Sequence, residues 1–111
     1  MLEILYYPNG DSGPVRDYLD QLARLRPNAF ARLAIDLEVL GAEGLRSAQL
    51  SVRSLGQKLW ELRRLHDGIQ YRIFMCAVKG HCWLLHVIEK KSAKTPRPDL
   101  ELARRRLREV M

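Results

Sequence analysis

Residues 58–89, KLWELRRLHDGIQYRIFMCAVKGHCWLLHVIE, decide the fold of this chain. Apolar and polar residues alternate within them with a period of about two, which is typical of strands. His66-Asp67-Gly68 and Lys79-Gly80-His81 divide the stretch, and short Gly-containing segments of this kind favour tight hairpin turns. The pattern therefore predicts three strands joined as two antiparallel hairpins, at about residues 58–65, 69–78 and 82–89.

The residues before this stretch predict one strand and two helices. Residues 2–7 favour a strand that ends at the turn Pro8-Asn9-Gly10. Asp11 or Ser12 then caps a helix, and Pro27 separates it from a second helix that ends at Gly41. Apolar residues fall on one face of each helix, so the pair is expected to form a helical hairpin. Residues 42–56 contain several Gly and Ser and are expected to be a linker.

The residues after the stretch predict a final helix. Thr95-Pro96 opens it, acidic residues lie in its first turns and four Arg lie towards its end, an order that suits the helix dipole. The whole chain is therefore predicted to be one α+β domain, residues 1–111, with the order β-α-α-β-β-β-α. Its sheet is expected to be mostly antiparallel, with the N-terminal helical hairpin and the C-terminal helix packed on one side.

Charge is divided unevenly along the chain. The net charge is +6, but residues 1–52 hold five Arg against seven acids, and residues 53–111 hold fourteen Lys and Arg against six acids. One basic face is the expected result, and a nucleic acid is the natural partner for such a face. A basic surface that is merely solvated is the alternative.

Several classes of protein are excluded by composition. No apolar run approaches the roughly 18 residues of a membrane span, and the N-terminus lacks the features of a signal peptide. We therefore expect a cytoplasmic protein without a membrane partner. In that compartment thiols stay reduced, so Cys76 and Cys82 are predicted to be a free, buried pair. No set of residues suggests a zinc site or a divalent-metal carboxylate cluster, and we expect no cofactor.

Four motifs in order resemble the RelE/HigB superfamily of type II toxin–antitoxin toxins, and more closely its phage-derived HigB-like branch. They are KLWELR at 58–63, QYRIF at 70–74, LLHVIEKK at 84–91, and KTP at 94–96 leading into LELAR at 100–104. The resemblance implies a microbial-ribonuclease-like domain that enters the ribosomal A site, contacts ribosomal RNA and cleaves mRNA. It also implies a cognate antitoxin, usually a HigA-like helix-turn-helix protein.

Metal-free RNA cleavage needs a group that deprotonates the 2′-hydroxyl, cations that stabilise the phosphorane, and help for the leaving 5′-oxygen. Arg63 and Arg72 lie near each other across the predicted hairpin, where two cations repel unless an anion lies between them. The functional hypothesis is that both bind the scissile phosphate. The alternative is that each points to solvent or pairs with Glu61 or Glu89.

Other candidates surround this pair. The resemblance implies a basic residue at the end of the third core strand, which either Lys90 or Lys91 matches; Lys91 is preferred. Glu61 shares a face with Arg63 and is a candidate base, or it orients Arg63 through a salt bridge. The candidates for contacts with neighbouring RNA are Lys58, His66, Lys94 and Arg97, with solvated loops as the alternative. His66 is also a candidate for proton transfer, and His86 is interpreted as a structural residue.

Two further functions stay open. The chain could be a non-catalytic RNA- or ribosome-binding module that blocks translation with the same basic face. It could also be a degenerate toxin retained as an antitoxin partner.

Overall fold

A five-stranded sheet forms the centre of the molecule, with the strand order β1-β5-β4-β3-β2. The computed structural model describes residues 1–90 and 94–111. Its elements are β1 (Glu3–Tyr6), α1 (Pro14–Leu25), α2 (Pro27–Glu43), β2 (Ser51–Gly56), β3 (Leu59–His66), β4 (Ile69–Val78), β5 (His81–Lys90) and α3 (Arg97–Val110).

The two predicted hairpins are confirmed. β3 pairs with β4 and β4 with β5, both antiparallel, while β1 joins the edge of β5 in parallel. Asp67 and Gly68 have φ values of 53° and 80°, and Lys79 and Gly80 have 51° and 82°. Two consecutive residues with positive φ match the twist of the flanking strands, which is why Gly stands second in each turn.

The prediction of a linker over residues 42–56 is wrong at both ends. α2 continues through Gly41 to Glu43, and Ser51–Gly56 form the edge strand β2, antiparallel to β3. The order is therefore β-α-α-β-β-β-β-α. Gly41 serves close packing instead of helix termination: its carbonyl accepts a 2.7 Å hydrogen bond from the Leu2 amide, and a Cβ there would lie 3.3 Å from the Leu2 carbonyl oxygen.

Helices cover both faces of the sheet, so the expectation of one covered side is wrong. α1 and α2 pack on the face that contains Ile73 and Met75, and α3 packs on the face that contains Phe74 and Cys76. Residues 71–76 of β4 are all buried. A central strand with two covered faces is apolar almost continuously, which hides the alternation that marks a strand with one solvent face.

Two arginines hold α3 against the sheet. Arg104 donates to the carbonyl oxygens of Leu55 (2.7 Å) and Gly56 (3.2 Å) in β2. Arg106 donates to the carbonyl of Leu85 (2.8 Å) in β5 and lies 4.9 Å from the Tyr7 ring centroid. Leu85 is the extra residue at the register shift opposite Phe74 and Met75. Arg106 thus provides a partner for a carbonyl group at a bulge.

Cys76 and Cys82 are free and buried, as predicted. Their side chains belong to the apolar clusters on opposite faces of the sheet. Over the described residues, none of the helices is long and apolar enough to span a membrane.

Candidate functional site

Strand register gathers the predicted site on the sheet face that α3 partly covers. Arg63 of β3 lies directly opposite Arg72 of β4, as the hairpin predicted. Two residues along, Gln70 of β4 lies opposite Lys90 of β5. On the outer side of β3, Ser51 of β2 lies opposite Arg63. Side chains of a strand alternate between faces, so these residues project to the same side of the sheet.

A buried carboxylate stands between the arginines. Glu61 Oε1 accepts hydrogen bonds from Arg63 Nε (2.6 Å) and Arg53 Nε (3.0 Å), and its Oε2 accepts from the Thr95 hydroxyl (3.0 Å). Arg72 Nη1 is 3.8 Å from Oε2. We call Arg53, Glu61, Arg63, Arg72 and Thr95 the arginine cluster. Within it, Glu61 carries the negative charge that lets three guanidinium groups approach each other.

Glu61 is held in its ionised form. Burial by itself would raise the pKa of this carboxyl, but the hydrogen bonds from Arg63 and Thr95 and the charges of Arg63 and Arg53 outweigh it, so the pKa lies below its usual range. Burial lowers the pKa of Arg72, and the charges of Arg63 and Arg53 act in the same direction, while the Glu61 charge opposes them. The geometry favours an orienting carboxylate over a free base.

The cations of the cluster differ in their exposure. Arg72 is fully buried; its Nη1 donates to Thr95 Oγ1 (3.0 Å) and its Nη2 to Gln70 Oε1 (3.1 Å). The side chains of Arg63 and Arg53 are 20% and 50% exposed. An anion that arrives from solvent therefore meets Arg53 and Arg63 before Arg72. The binding of a phosphate by Arg72 stays a prediction.

The remaining basic candidates lie around the cluster or away from it. Lys90 is half-buried on the same face, at the end of β5, and Lys94 is exposed on the way to α3. Arg97 is 87% exposed and pairs with Glu101 at 3.2 Å. Lys91 lies outside the described residues.

Two candidates are not brought to the cluster. Lys58 lies in the turn between β2 and β3, with φ 70°, at the opposite end of β3 from Lys90. His66 lies at the same end of β3 as Arg63 but on the opposite face of the sheet. It is three residues from Arg63 and therefore shares the face of Arg64. Arg64 donates to Asp36 of α2 on that face (2.8 and 2.5 Å). The contacts of Lys58 and His66 with RNA stay predictions.

His86 has a structural environment, as interpreted. Its Nε2 lies 2.8 Å from Asp99 Oδ1 at the start of α3, and its ring stacks on Phe74 with a centroid distance of 5.9 Å. This contact joins β5 to α3.

Arg53 and Thr95 belong to the arginine cluster and Gln70 contacts it through Arg72, although the sequence did not single them out. Arg53 was hidden because residues 42–56 contain so many Gly and Ser. Thr95 reaches Glu61 across 34 positions of sequence, which no local pattern reveals. Gln70 could have been found, since it is two residues from Arg72 on one strand and therefore shares its face. Among residues 1–90 and 94–111, no three His, Cys, Asp or Glu side chains gather as a metal site would require.

Comparison with known families adds the decisive observation. The family model described as Phage derived protein Gp49-like (DUF891) matches residues 20–108. The chain belongs to this family. Gp49-like proteins are toxins of toxin–antitoxin pairs, similar to RelE and HigB, and this role implies an antitoxin partner. No curated protein matches the chain, and no solved structure matches it. The match includes β2 to β5 and nearly all of α3, and therefore the whole arginine cluster.

Proposed function

We propose that this Gp49-like protein is a ribosome-dependent mRNA endonuclease with a RelE-like, microbial-ribonuclease-like domain of the HigB-like branch. In this proposal it acts in the cytoplasm, cleaves mRNA in the ribosomal A site, contacts ribosomal RNA and is neutralised by a HigA-like helix-turn-helix antitoxin. The observation that supports cleavage best is the arginine cluster: Arg63 faces Arg72 across β3 and β4, and Glu61 fixes their positions.

The proposed chemistry uses the cluster as an electrostatic site without a metal ion. The 2′-oxygen attacks the phosphorus and the bond from phosphorus to the 5′-oxygen breaks, which leaves a 2′,3′-cyclic phosphate and a 5′-hydroxyl. The proton of the 2′-hydroxyl passes to solvent water, and the leaving 5′-oxygen takes up a proton from solvent water. Arg63, with Lys90 or Lys91, stabilises the charge on the phosphorane. Glu61 accepts a hydrogen bond from Arg63 Nε, and this contact fixes the orientation of the guanidinium group and of its terminal Nη atoms. The ribosome supplies much of the positioning of the message.

Arg72 takes a different role from Arg63 in this proposal. Its guanidinium lies behind the exposed part of the cluster and contacts Thr95 and Gln70. It holds Glu61, and thereby Arg63, in place. A direct contact between Arg72 and the scissile phosphate requires the cluster to open, because the Arg72 side chain is fully buried.

The test is primer extension on an mRNA during translation in vitro. We expect discrete cuts that need ribosomes and that fall about 100-fold in rate with Arg63→Ala, since removal of one preorganised donor costs rates of that order. Arg16→Ala is the matched control, because Arg16 is an exposed arginine paired with Asp20 on α1, far from the cluster. Arrest of translation with an intact message contradicts cleavage.

One observation favours a second candidate, the non-catalytic module that blocks translation. Glu61, the carboxylate of the cluster, already accepts three hydrogen bonds from described residues. It is therefore poorly placed to take the proton of the 2′-hydroxyl. Under this alternative, Arg63→Ala weakens binding to ribosomes and no cut appears with either protein. A protein that neither cuts mRNA nor arrests translation is the degenerate toxin instead.

A further inference from the structure

A depression of about 260 Å³ opens beside the arginine cluster. It forms because β3 is longer than its edge partner: β2 begins at Ser51, opposite Arg63, so β3 projects beyond β2. The depression is lined by Gln49, Ser51, Arg63, Arg64, Leu65 and Gln70. We call it the overhang pocket. It is smaller than the usual site for a drug-sized ligand, so a single flat ring system is the size of group that fits.

One side of the overhang pocket is apolar. Leu65 is 64% exposed, although the other large aliphatic residue of this part of β3, Leu62, is buried. Leu65 lies two residues from Arg63 and therefore on the same face of the sheet. An apolar side chain next to a guanidinium suits a nucleotide, whose base has an apolar face and whose phosphate is an anion.

The polar side of the pocket has a defined hydrogen-bonding character. Gln70 Oε1 accepts from Arg72 Nη2 at 3.1 Å. This contact fixes the orientation of the amide, and the NH₂ group is the end that faces away from Arg72. Gln70 lines the pocket, and its NH₂ group, the end of the amide that Arg72 does not contact, is the donor that we assign to it. Arg63 adds a guanidinium group to this lining, whereas the guanidinium of Arg64 is held by Asp36 on the opposite face of the sheet.

We propose that the overhang pocket binds one nucleobase of single-stranded RNA, next to the phosphate held by Arg63, and that Gln70 reads its edge. The inference rests on the proposed function and adds a base preference to it. Uracil and guanine carry a carbonyl oxygen where cytosine and adenine carry an amino group. A donor at Gln70 selects the carbonyl bases, and Leu65 contacts the face of the ring.

The test measures binding to the intact chain by NMR titration. The probes are 2′-fluoro trinucleotides of uracil and of cytosine, which cannot be cleaved because they lack the 2′-hydroxyl, and an abasic trinucleotide. Uracil and cytosine have the same ring size, so the pair isolates the hydrogen-bonding edge. We expect the uracil trimer to bind roughly three- to tenfold more tightly than the cytosine trimer, the ratio that one hydrogen bond supplies.

Two variants test the residues. Gln70→Glu retains an oxygen for Arg72 but replaces the donors with an acceptor; all trimers weaken through the added charge, and the order of uracil and cytosine reverses. Leu65→Ser weakens both base-containing trimers and leaves the abasic trimer unchanged. Leu25→Ser is the matched control, since Leu25 is 69% exposed at the end of α1. It should change nothing. Thermal unfolding verifies that each variant is folded.

The outcomes separate this inference from the proposed function. Equal binding of the uracil, cytosine and abasic trimers overturns the pocket assignment, and so does an unchanged order in Gln70→Glu, whether or not wild-type protein cuts mRNA on ribosomes. If no trimer binds, the assignment is also overturned. Conversely, a base preference in the trimers with no cuts on ribosomes supports the pocket and contradicts the endonuclease.

Discussion

At the scale of single residues, Glu61 determines what the arginine cluster can do. A buried carboxylate is costly to desolvate, and three arginines at short range would repel each other without it. The ion pairs between Glu61 and the arginines offset both the desolvation of the carboxylate and the repulsion among the guanidinium groups. Glu61 is therefore expected to stabilise the fold as much as it serves the site.

Replacement of this carboxylate tests that expectation. We predict that Glu61→Gln lowers the free energy of unfolding at pH 7 by about 3 kcal/mol, because it leaves buried guanidinium charge uncompensated. Urea unfolding measures the change. Asp20→Asn is the control, since Asp20 is an exposed partner of Arg16, and we expect its loss to be about 0.5 kcal/mol.

The pH dependence of the same variant gives a second readout. The pKa of Glu61 is below its usual value of 4.5 in the folded protein, so its stabilising contribution is complete above that value. It is lost as the pH falls through the folded pKa, when the folded carboxyl takes up a proton. The difference in stability between wild-type protein and Glu61→Gln should therefore shrink below pH 4.5. A difference that stays constant or grows on acidification contradicts this account.

Residue contacts within one hairpin could be predicted from the sequence. Period two places Glu61 beside Arg63, and the hairpin turn places Arg63 opposite Arg72. Contacts that depend on distant segments could not. Thr95 and Arg53 reach Glu61 from segments whose packing is decided by the tertiary structure, and the sequence offers no periodicity that connects them.

At the scale of elements, β2 and α3 show where local patterns are weak. β2 is an edge strand in which only Val52 and Leu55 are half-buried. Its sequence contains too few apolar residues to show the alternation that predicts a strand. In α3 the arginines differ by their position around the helix. Arg104 follows Ala103 and Arg106 precedes Leu107, so the two flank the buried stripe and reach β2 and β5. Arg105 and Arg108 are exposed.

This division predicts unequal effects within the arginine run. Arg106→Ala should lower the free energy of unfolding by about 2 kcal/mol, because it removes a charged hydrogen bond to the Leu85 carbonyl and the contact with the Tyr7 ring. Arg105→Ala is the control and should change stability by less than about 0.5 kcal/mol. Urea unfolding of both variants makes the comparison. If both variants lose the same free energy of unfolding, the arginines of α3 stabilise the protein through the helix dipole and their charge, and not through contacts with the sheet.

At the scale of the whole molecule, the sheet separates two apolar layers. α1 and α2 close one layer, and α3 closes the other, which among the described residues contains fewer buried apolar side chains. The sequence predicted every helix but not this arrangement, because an amphipathic stripe shows that a helix is covered without showing which sheet face it covers. The two cysteines lie in different layers, Cys82 with α1 and α2, and Cys76 with α3. Each thiol therefore reports on one layer.

Alkylation by iodoacetamide at pH 8 turns this arrangement into a measurement. Burial raises the pKa of Cys76 to about 11 and that of Cys82 to about 12, so both thiols should resist the reagent until the protein opens. Trypsin places them on separate peptides, residues 73–79 and 80–90, so mass spectrometry distinguishes them. We expect Cys76 to be labelled at a lower urea concentration than Cys82. In Arg106→Ala, labelling of Cys76 alone should shift to still lower urea, because loss of the contact between Arg106 and β5 loosens only the α3 layer. Fully denatured protein, in which both peptides label at one rate, is the control. Simultaneous labelling in native and variant protein would mean that the two layers open as a single cooperative unit.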